Sequence, residues 1–205
     1  TDDIPTNVML EIAKYECIYV TDKIFSSITQ VTNPQGIMAI IEKNTGNQEI
    51  DFSQDIIVAL DDVQDPGNLG TILRTVDSIG LNQIIVSKGT ADSFNSKVVR
   101  STMGAIFRVK IIEVEDLKET IKTMKKHHFK LMVTSLQTEN SIYDIDFNKK
   151  IIVIGNESNG VSQEIQDMAD EKAKIPMLGR TESLNASVAA GIVMYEYVRQ
   201  KLSKK

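Results

Sequence analysis

Ile175–Lys205, IPMLGRTESLNASVAAGIVMYEYVRQKLSKK, is the stretch from which the rest of the chain is read. It opens on a short apolar strand end, Ile175–Pro176, and continues as a polar loop from Met177 to Ser183. Asn185-Ala186-Ser187-Val188-Ala189-Ala190-Gly191 then leads into an apolar helix that ends in lysines. A helix start so rich in small residues lets another group approach its backbone closely. Terminal lysines suit the negative end of the helix dipole. Tight packing of this helix on a sheet would use the same small residues, so other loops must choose between the two readings.

Working outward, the preceding segments alternate between apolar runs and helical patterns. Ile56–Leu60, Ile84–Val86, Val109–Ile112, Lys130–Thr134 and Ile151–Ile154 read as strands. Continuous apolar runs of this kind fit strands covered on both faces. A helix is expected from Asn68 or Leu69 to Ile79, and others over Lys97–Ala105, Glu115–His127 and Ser162–Ala169. The alternation predicts an α/β fold with a mainly parallel sheet and helices on both faces. It occupies residues 54–205, after a turn-rich boundary that begins at Thr45-Gly46-Asn47-Gln48.

Residues 1–46 read as a separate small α/β unit, the latter part of a larger domain. It has a helix near Val8–Ala13, strands at Ile18–Val20 and Ile37–Ile41, and a helix Lys23–Thr29 capped by Thr21-Asp22. Asn33-Pro34-Gln35-Gly36 is a turn.

The 205 residues are 41% hydrophobic and 25% charged, an ordinary globular balance. No apolar run is long enough to span a bilayer. Cys17 is the only cysteine, which excludes an internal disulfide framework and fits the cytoplasm. It is expected to be a buried small hydrophobe. A net charge of −5 counts against nucleic-acid binding as an average. Arg74, Arg100, Arg108 and Arg180 could still converge, as could Lys122, Lys125, Lys126 and Lys130.

Ligands of parallel sheets sit beyond the carboxyl ends of the strands. Three loops there are unusual. In the first, Asp61–Thr75, Pro66-Gly67-Asn68 makes a tight turn, and Asn68 and Arg74 are expected near one side of the helix that follows. Arg74 stands in an apolar segment, so it is paired with Asp65 or Asp77 or aimed at a polar ligand. The second, Gly155-Asn156-Glu157-Ser158-Asn159-Gly160, has the glycine frame of a P-loop but Val161 where the lysine belongs. Its one carboxylate, Glu157, could cap a helix or bind a cation. The third is the opening stretch, with Arg180, Glu182, Ser183 and Asn185. His127 and His128 are adjacent and lack metal-ligand spacing, so no metal site is expected. No histidine accompanies a candidate nucleophilic serine, and no glycine fingerprint supports a dinucleotide oxidoreductase.

Together, DPGNLGTILRTVDSIG, IGNESNGVS and IPMLGRTESLNASVAAGIVMYE resemble, in order and spacing, the three motifs of the SpoU/TrmH family. KVVRSTMGAIFRVKI at Lys97–Ile111 is similar to that family too. Its members are RNA ribose 2′-O-methyltransferases of the SPOUT superfamily that use S-adenosylmethionine. The resemblance implies a C-terminal deep trefoil knot, a homodimer built on Val188–Val198, and an L30e-like N-terminal domain. It implies that Thr134, Gly155, Ile175, Met177, Leu184 and Ser187 hold the cofactor. It gives catalytic roles to Asn68, Arg74, Glu157, Ser183 and Asn185, with Arg74 as base or positioner and Glu157 as its possible partner. Ribosomal RNA is the expected substrate. Transfer RNA, or a silent RNA-binding assembly role on the same fold, are the alternatives.

Overall fold

The computed structural model describes residues 4–43 and 49–204. The chain divides into two compact units, Thr1–Gly46 and Asn47–Lys205. The Thr45–Gln48 stretch, expected to begin the boundary, lies outside the described residues.

Among its described residues the first unit holds two short helices, α1 (Thr6–Ile12) and α2 (Asp22–Ile28). The Thr21 side chain caps α2 by accepting from the Ile24 N–H. The strands expected at Ile18–Val20 and Ile37–Ile41 are not formed. A strand exists only in a ladder, and neither segment pairs with another among the described residues. Ile18 and Ile40 are well exposed. Cys17 is half-buried rather than buried, and its thiol lies 3.4 Å from the carbonyls of Ile12 and Tyr15.

The second unit is a six-stranded, all-parallel sheet. In chain order its elements are β1 (Ile56–Asp61), α3 (Pro66–Ser78), β2 (Gln83–Ser87) and α4 (Ser96–Ser101), then β3 (Lys110–Val114), α5 (Leu117–Lys126) and β4 (Lys130–Thr134). β5 (Lys150–Gly155), α6 (Gln163–Asp167), β6 (Glu171–Ala173) and α7 (Ala186–Ser203) complete it. The sheet order is β3-β2-β1-β5-β4-β6. The chain winds outward from β1 to β3, crosses over, and returns to lay β5 against β1. A topological switch point therefore falls between β1 and β5. Their register runs from Ile56 opposite Lys150 to Asp61 opposite Gly155, so the loops after both strands emerge side by side.

β1 is buried along its whole length. Side chains alternate across the sheet, so Ile56, Val58 and Leu60 join a core that includes residues of α3 and α7. Ile57 and Ala59 join a second core with α5 and α6. The helix starts are specified locally. Asp65 accepts from the Asn68 N–H at 2.8 Å, and Pro66 occupies the first turn of α3. Gly80, at φ +78°, ends α3 after Ile79. Gly80 and Leu81 then donate back to the carbonyls of Asp77 and Val76.

Several boundaries differ from expectation, α5 among them, which spans Leu117–Lys126 within the expected Glu115–His127. α3 begins two residues earlier, at Pro66, because Asp65 is its cap. The helix expected over Lys97–Ala105 stops at Ser101. Met103 (φ 50°) and Gly104 (φ 85°) adopt left-handed conformations, and only a 3-10 turn, Ala105–Phe107, follows. α6 is shorter than Ser162–Ala169. The last strand is Glu171–Ala173, not Ile175–Pro176. Among the described residues, no helix is long and apolar enough to cross a membrane.

Candidate active site

The loops after β1 and β5 meet at the switch point. Glu157 reaches from the β5 loop to the start of α3. Its carboxylate accepts the N–H groups of Gln64 and Asp65, each at 3.1 Å, and the side-chain amide of Asn68 at 2.9 Å. A negative charge at a helix N-terminus meets the positive end of the helix dipole and its unpaired N–H groups. The helix-terminus reading of Glu157 is therefore correct, although the helix belongs to a distant part of the chain.

The buried Asn68 passes the connection on. Its Oδ1 accepts from Asn185 Nδ2 at 2.9 Å. Asn185 Oδ1 in turn caps α7, accepting from Ser187 N and Oγ and from Val188 N. Glu157, Asn68, Asn185 and Ser187 thus form one hydrogen-bonded run across the three loops. Each amide has one orientation that satisfies both ends. Desolvation pushes the Glu157 pKa up, but the Asn68 amide and the N–H groups of Gln64, Glu157 and Asp65 outweigh it and hold the carboxyl below its ordinary value.

Two expectations fail here. Glu157 does not pair with Arg74, because its oxygens are taken by the α3 N-terminus. Nor do Asn68 and Arg74 share a side of the helix. Six residues at about 100° each leave them roughly 120° apart around the axis. Arg74 is exposed and makes no ion pair or hydrogen bond among the described residues. The carboxylates that could have neutralised it are engaged elsewhere. Asp77 binds Arg108 in a fork, and Asp65 lies 3.7 Å from Lys97. Neither of the ion pairs expected for Arg74 is formed.

The remaining expected residues take these places in the fold. Thr134 ends β4 and is half-buried; Gly155 ends β5 and is buried. Ile175 and Met177 are half-buried, Leu184 and Ser183 exposed. Ser183 makes no hydrogen bond among the described residues. Gly155 owes its identity to the chain itself: a Cβ there would overlap the backbone of Gly160 and Val161. The loop's own backbone fills the space that a side chain there would need.

The reading passed over Asn156. Its Oδ1 accepts from Ser158 N and Asn159 N, and its Nδ2 donates to the Asp62 carbonyl at 2.8 Å. It was legible as an Asn opening a turn. Asp61, whose carboxylate accepts from Ser162 N at 2.7 Å, was not. The lysine patch does not converge. Lys122 pairs with Glu119, and Lys125 with Asp170. His127 stacks on Phe52, 3.7 Å between ring centres.

The Glu157 environment predicts a pH signature. A carboxyl whose folded pKa is depressed adds stability above its unfolded pKa, and loses it as pH falls through the folded value. The Tm gap between wild type and Glu157→Gln should be widest near neutrality and close below the ordinary glutamate range. Thermal melts from pH 7 to 3 check this; a gap that stays constant would remove the charge from the account.

Residues 55–195 match the SpoU rRNA Methylase family. A 23S rRNA (guanosine(2553)-2′-O)-methyltransferase of Bacillus subtilis, RlmP, is 32% identical over 88% of this chain and 71% of its own length. An AdoMet-bound rRNA methyltransferase from Sinorhizobium meliloti superposes with a TM-score of 0.79 at 34% identity, covering 88% of this chain and 70% of that one. The AdoMet complex of the SpoU methyltransferase AviRb from Streptomyces viridochromogenes gives 0.68 at 32% identity, over 72% of this chain and 60% of its own. The chain therefore spans about 60–71% of these three relatives. The sheet, the three loops and the family match lead to one conclusion: this chain belongs to the SpoU rRNA Methylase family.

Proposed function

We propose that this chain transfers a methyl group from S-adenosylmethionine to a ribose 2′-hydroxyl of RNA, in the cytoplasm, with ribosomal RNA as substrate. The observation that carries the reading is the hydrogen-bonded run from Glu157 through Asn68 to Asn185. It ties the three loops to the start of the helix that carries Arg74, an arginine with no ion-pair partner among the described residues. Ribosomal RNA is favoured over transfer RNA because the Bacillus and Sinorhizobium relatives are named for it.

The loop residues fit the cofactor. From Ile175 to Leu184 the main chain makes no hydrogen bond among the described residues. That leaves a strip of donors and acceptors able to take an adenine edge and ribose hydroxyls. Thr134, Gly155, Ile175, Met177, Leu184 and Ser187 would hold it. Bound there, S-adenosylmethionine supplies a methyl group activated by its sulfonium. The chain's part is then positioning. Arg74, with its planar fork of donors, holds the 2′-oxygen or the adjacent phosphate and stabilises that oxygen as its proton passes to solvent water. Ser183 orients the ribose. Asn68, Glu157 and Asn185 keep the loops in register. Calorimetry with a chelator present tests the reading: S-adenosylmethionine and its demethylated product should both bind. Absence of binding at millimolar ligand would sink it.

The reading extends to a C-terminal trefoil knot. It is supported by the path of the chain from β6, at the sheet edge, back to α7, which packs on α3. Residues 1–46 would be part of an L30e-like RNA-binding domain. A homodimer through α7 is also part of the proposal, on the part of the Val188–Val198 span that stays open. Val193, Met194 and Tyr197 are buried in the subunit's own core. The face open to a partner carries Val188, Gly191, Ile192 and Tyr195, which with Thr71 and Ser187 line a shallow pocket of about 390 Å³. Tyr195→Asp should shift the protein to monomer in light scattering, and a wild type already monomeric at micromolar concentration would contradict the dimer.

A further inference from the structure

The segment from α4 to Arg108 runs alongside one row of α3. Lys97 Cε lies 4.0 Å from where a Cβ on Gly67 would be. A Cβ on Gly70 would overlap Ser101 and lie 2.9 Å from the Val98 carbonyl. Arg108 holds Asp77 with Nε at 3.1 Å and Nη2 at 2.7 Å. Positions 67, 70, 74 and 77 follow one another at the spacing of a single helix face. Arg74 therefore fills the place between the Ser101 and Arg108 contacts, level with the turn at residues 102–107.

That turn is rigidly built, yet it presents apolar side chains to water. Thr102 is fully buried and donates to the Val99 carbonyl at 2.8 Å. Ala105 is fully buried as well. Met103 holds a left-handed backbone that non-glycine residues seldom adopt. Met103 and Phe107 are each 69% exposed. Beside them Arg100 is exposed, and like that of Arg74 its guanidinium makes no ion pair or hydrogen bond among the described residues. Scattered exposed apolar residues need no explanation. Here two sit on a fixed turn, flanked by two unpaired guanidinium groups, in a chain whose net charge is −5. Exposed rings between cations match single-stranded nucleic acid, which offers flat base faces and a phosphate at every step.

We propose that Phe107, with Met103, stacks the unpaired base next to the nucleotide whose ribose Arg74 engages, and that Arg100 contacts its phosphate. The surface would select single-stranded or looped RNA, because a base inside a duplex offers no free face to stack upon. This rests on the RNA-methyltransferase reading above.

The test uses the full chain with deproteinised ribosomal RNA from cells lacking the protein, S-adenosylmethionine labelled in its methyl group, and variants Phe107→Ala, Phe107→Tyr and Arg100→Ala. Phe107→Ala should weaken RNA binding and raise KM about tenfold, with kcat, cofactor affinity and Tm unchanged. Phe107→Tyr should keep wild-type binding. Arg100→Ala should flatten the dependence of log Kd on log salt by about 0.7, the slope of one single-strand phosphate contact. An active wild type and a Phe107→Ala variant with unaltered Kd and KM would overturn the platform alone. A wild type that methylates nothing in the RNA pool would overturn the RNA-methyltransferase reading, and the platform with it.

Discussion

Arg74→Ala should lower the single-turnover methylation rate by about two to four orders of magnitude, the range for loss of a positioned proton-transfer or electrostatic group. Tm and cofactor affinity should stay at their wild-type values. The physical basis is the absence of any internal task for this side chain. Asp77 and Asp65, its nearest acidic neighbours on the helix, are occupied by Arg108 and Lys97. Glu157 is occupied by the start of α3. An exposed guanidinium without partners contributes little to folding, so removing it should not be felt there. Arg74→Lys should restore little, because an ammonium is a point charge and lacks the two parallel donors of the fork.

The opposite outcome is equally readable. If Arg74 served the fold, Arg74→Ala would melt earlier, and its residual activity would track the folded fraction. Melting temperature, cofactor binding and single-turnover rate on the same samples separate the cases. A stable variant with a near-normal rate would take Arg74 out of the mechanism.

Much of this was legible in the sequence, for local reasons. Ile56–Leu60 and Ile151–Ile154 read as doubly covered strands because both of their faces are buried. The three loops were legible because Gly, Asn and Pro cluster where strands give way to helices. What escaped is what depends on distant partners. Glu171-Lys172-Ala173 shows no apolar pattern, yet it pairs with β4 as a short edge strand. Ile37–Ile41 has the pattern of a strand but no ladder to join among the described residues. Val193, Met194 and Tyr197 lie in the Val188–Val198 span read as an interface, yet they are buried in the subunit's own core, because apolar residues on a C-terminal helix look alike whether they face a partner or their own sheet. The site shows the same division. Asn68, Glu157 and Asn185 were singled out one by one. Their hydrogen bonds join positions 89 and 117 residues apart, and no local pattern encodes such pairing.

The same interdependence makes Gly155 the position where the smallest change should do the most damage to the site. Gly155 closes β5 opposite Asp61 of β1. A methyl group there would overlap backbone atoms of Gly160 and Val161, which cannot rotate away as a side chain would. The loop between cannot easily yield. Asn156 and Gly160 exchange two backbone hydrogen bonds of 2.9 Å, and the Asn156 side chain ties the loop to Asp62. Relief must therefore shift the end of β5 or open the loop, and Glu157 sits within that loop. Either movement separates Glu157 from the N–H groups of Gln64 and Asp65 and from Asn68, and so loosens Asn185 as well. Gly155→Ala should cost about 1–3 kcal/mol or more in urea denaturation, the range for an overpacked interior. Cofactor binding and methylation should fall further than the loss of folded protein accounts for. Gly179→Ala is the control: nothing lies within 4 Å of its would-be Cβ, and its stability should be near wild type. A Gly155→Ala protein as stable as that control, with intact cofactor affinity, would show that the loop has slack the geometry does not allow.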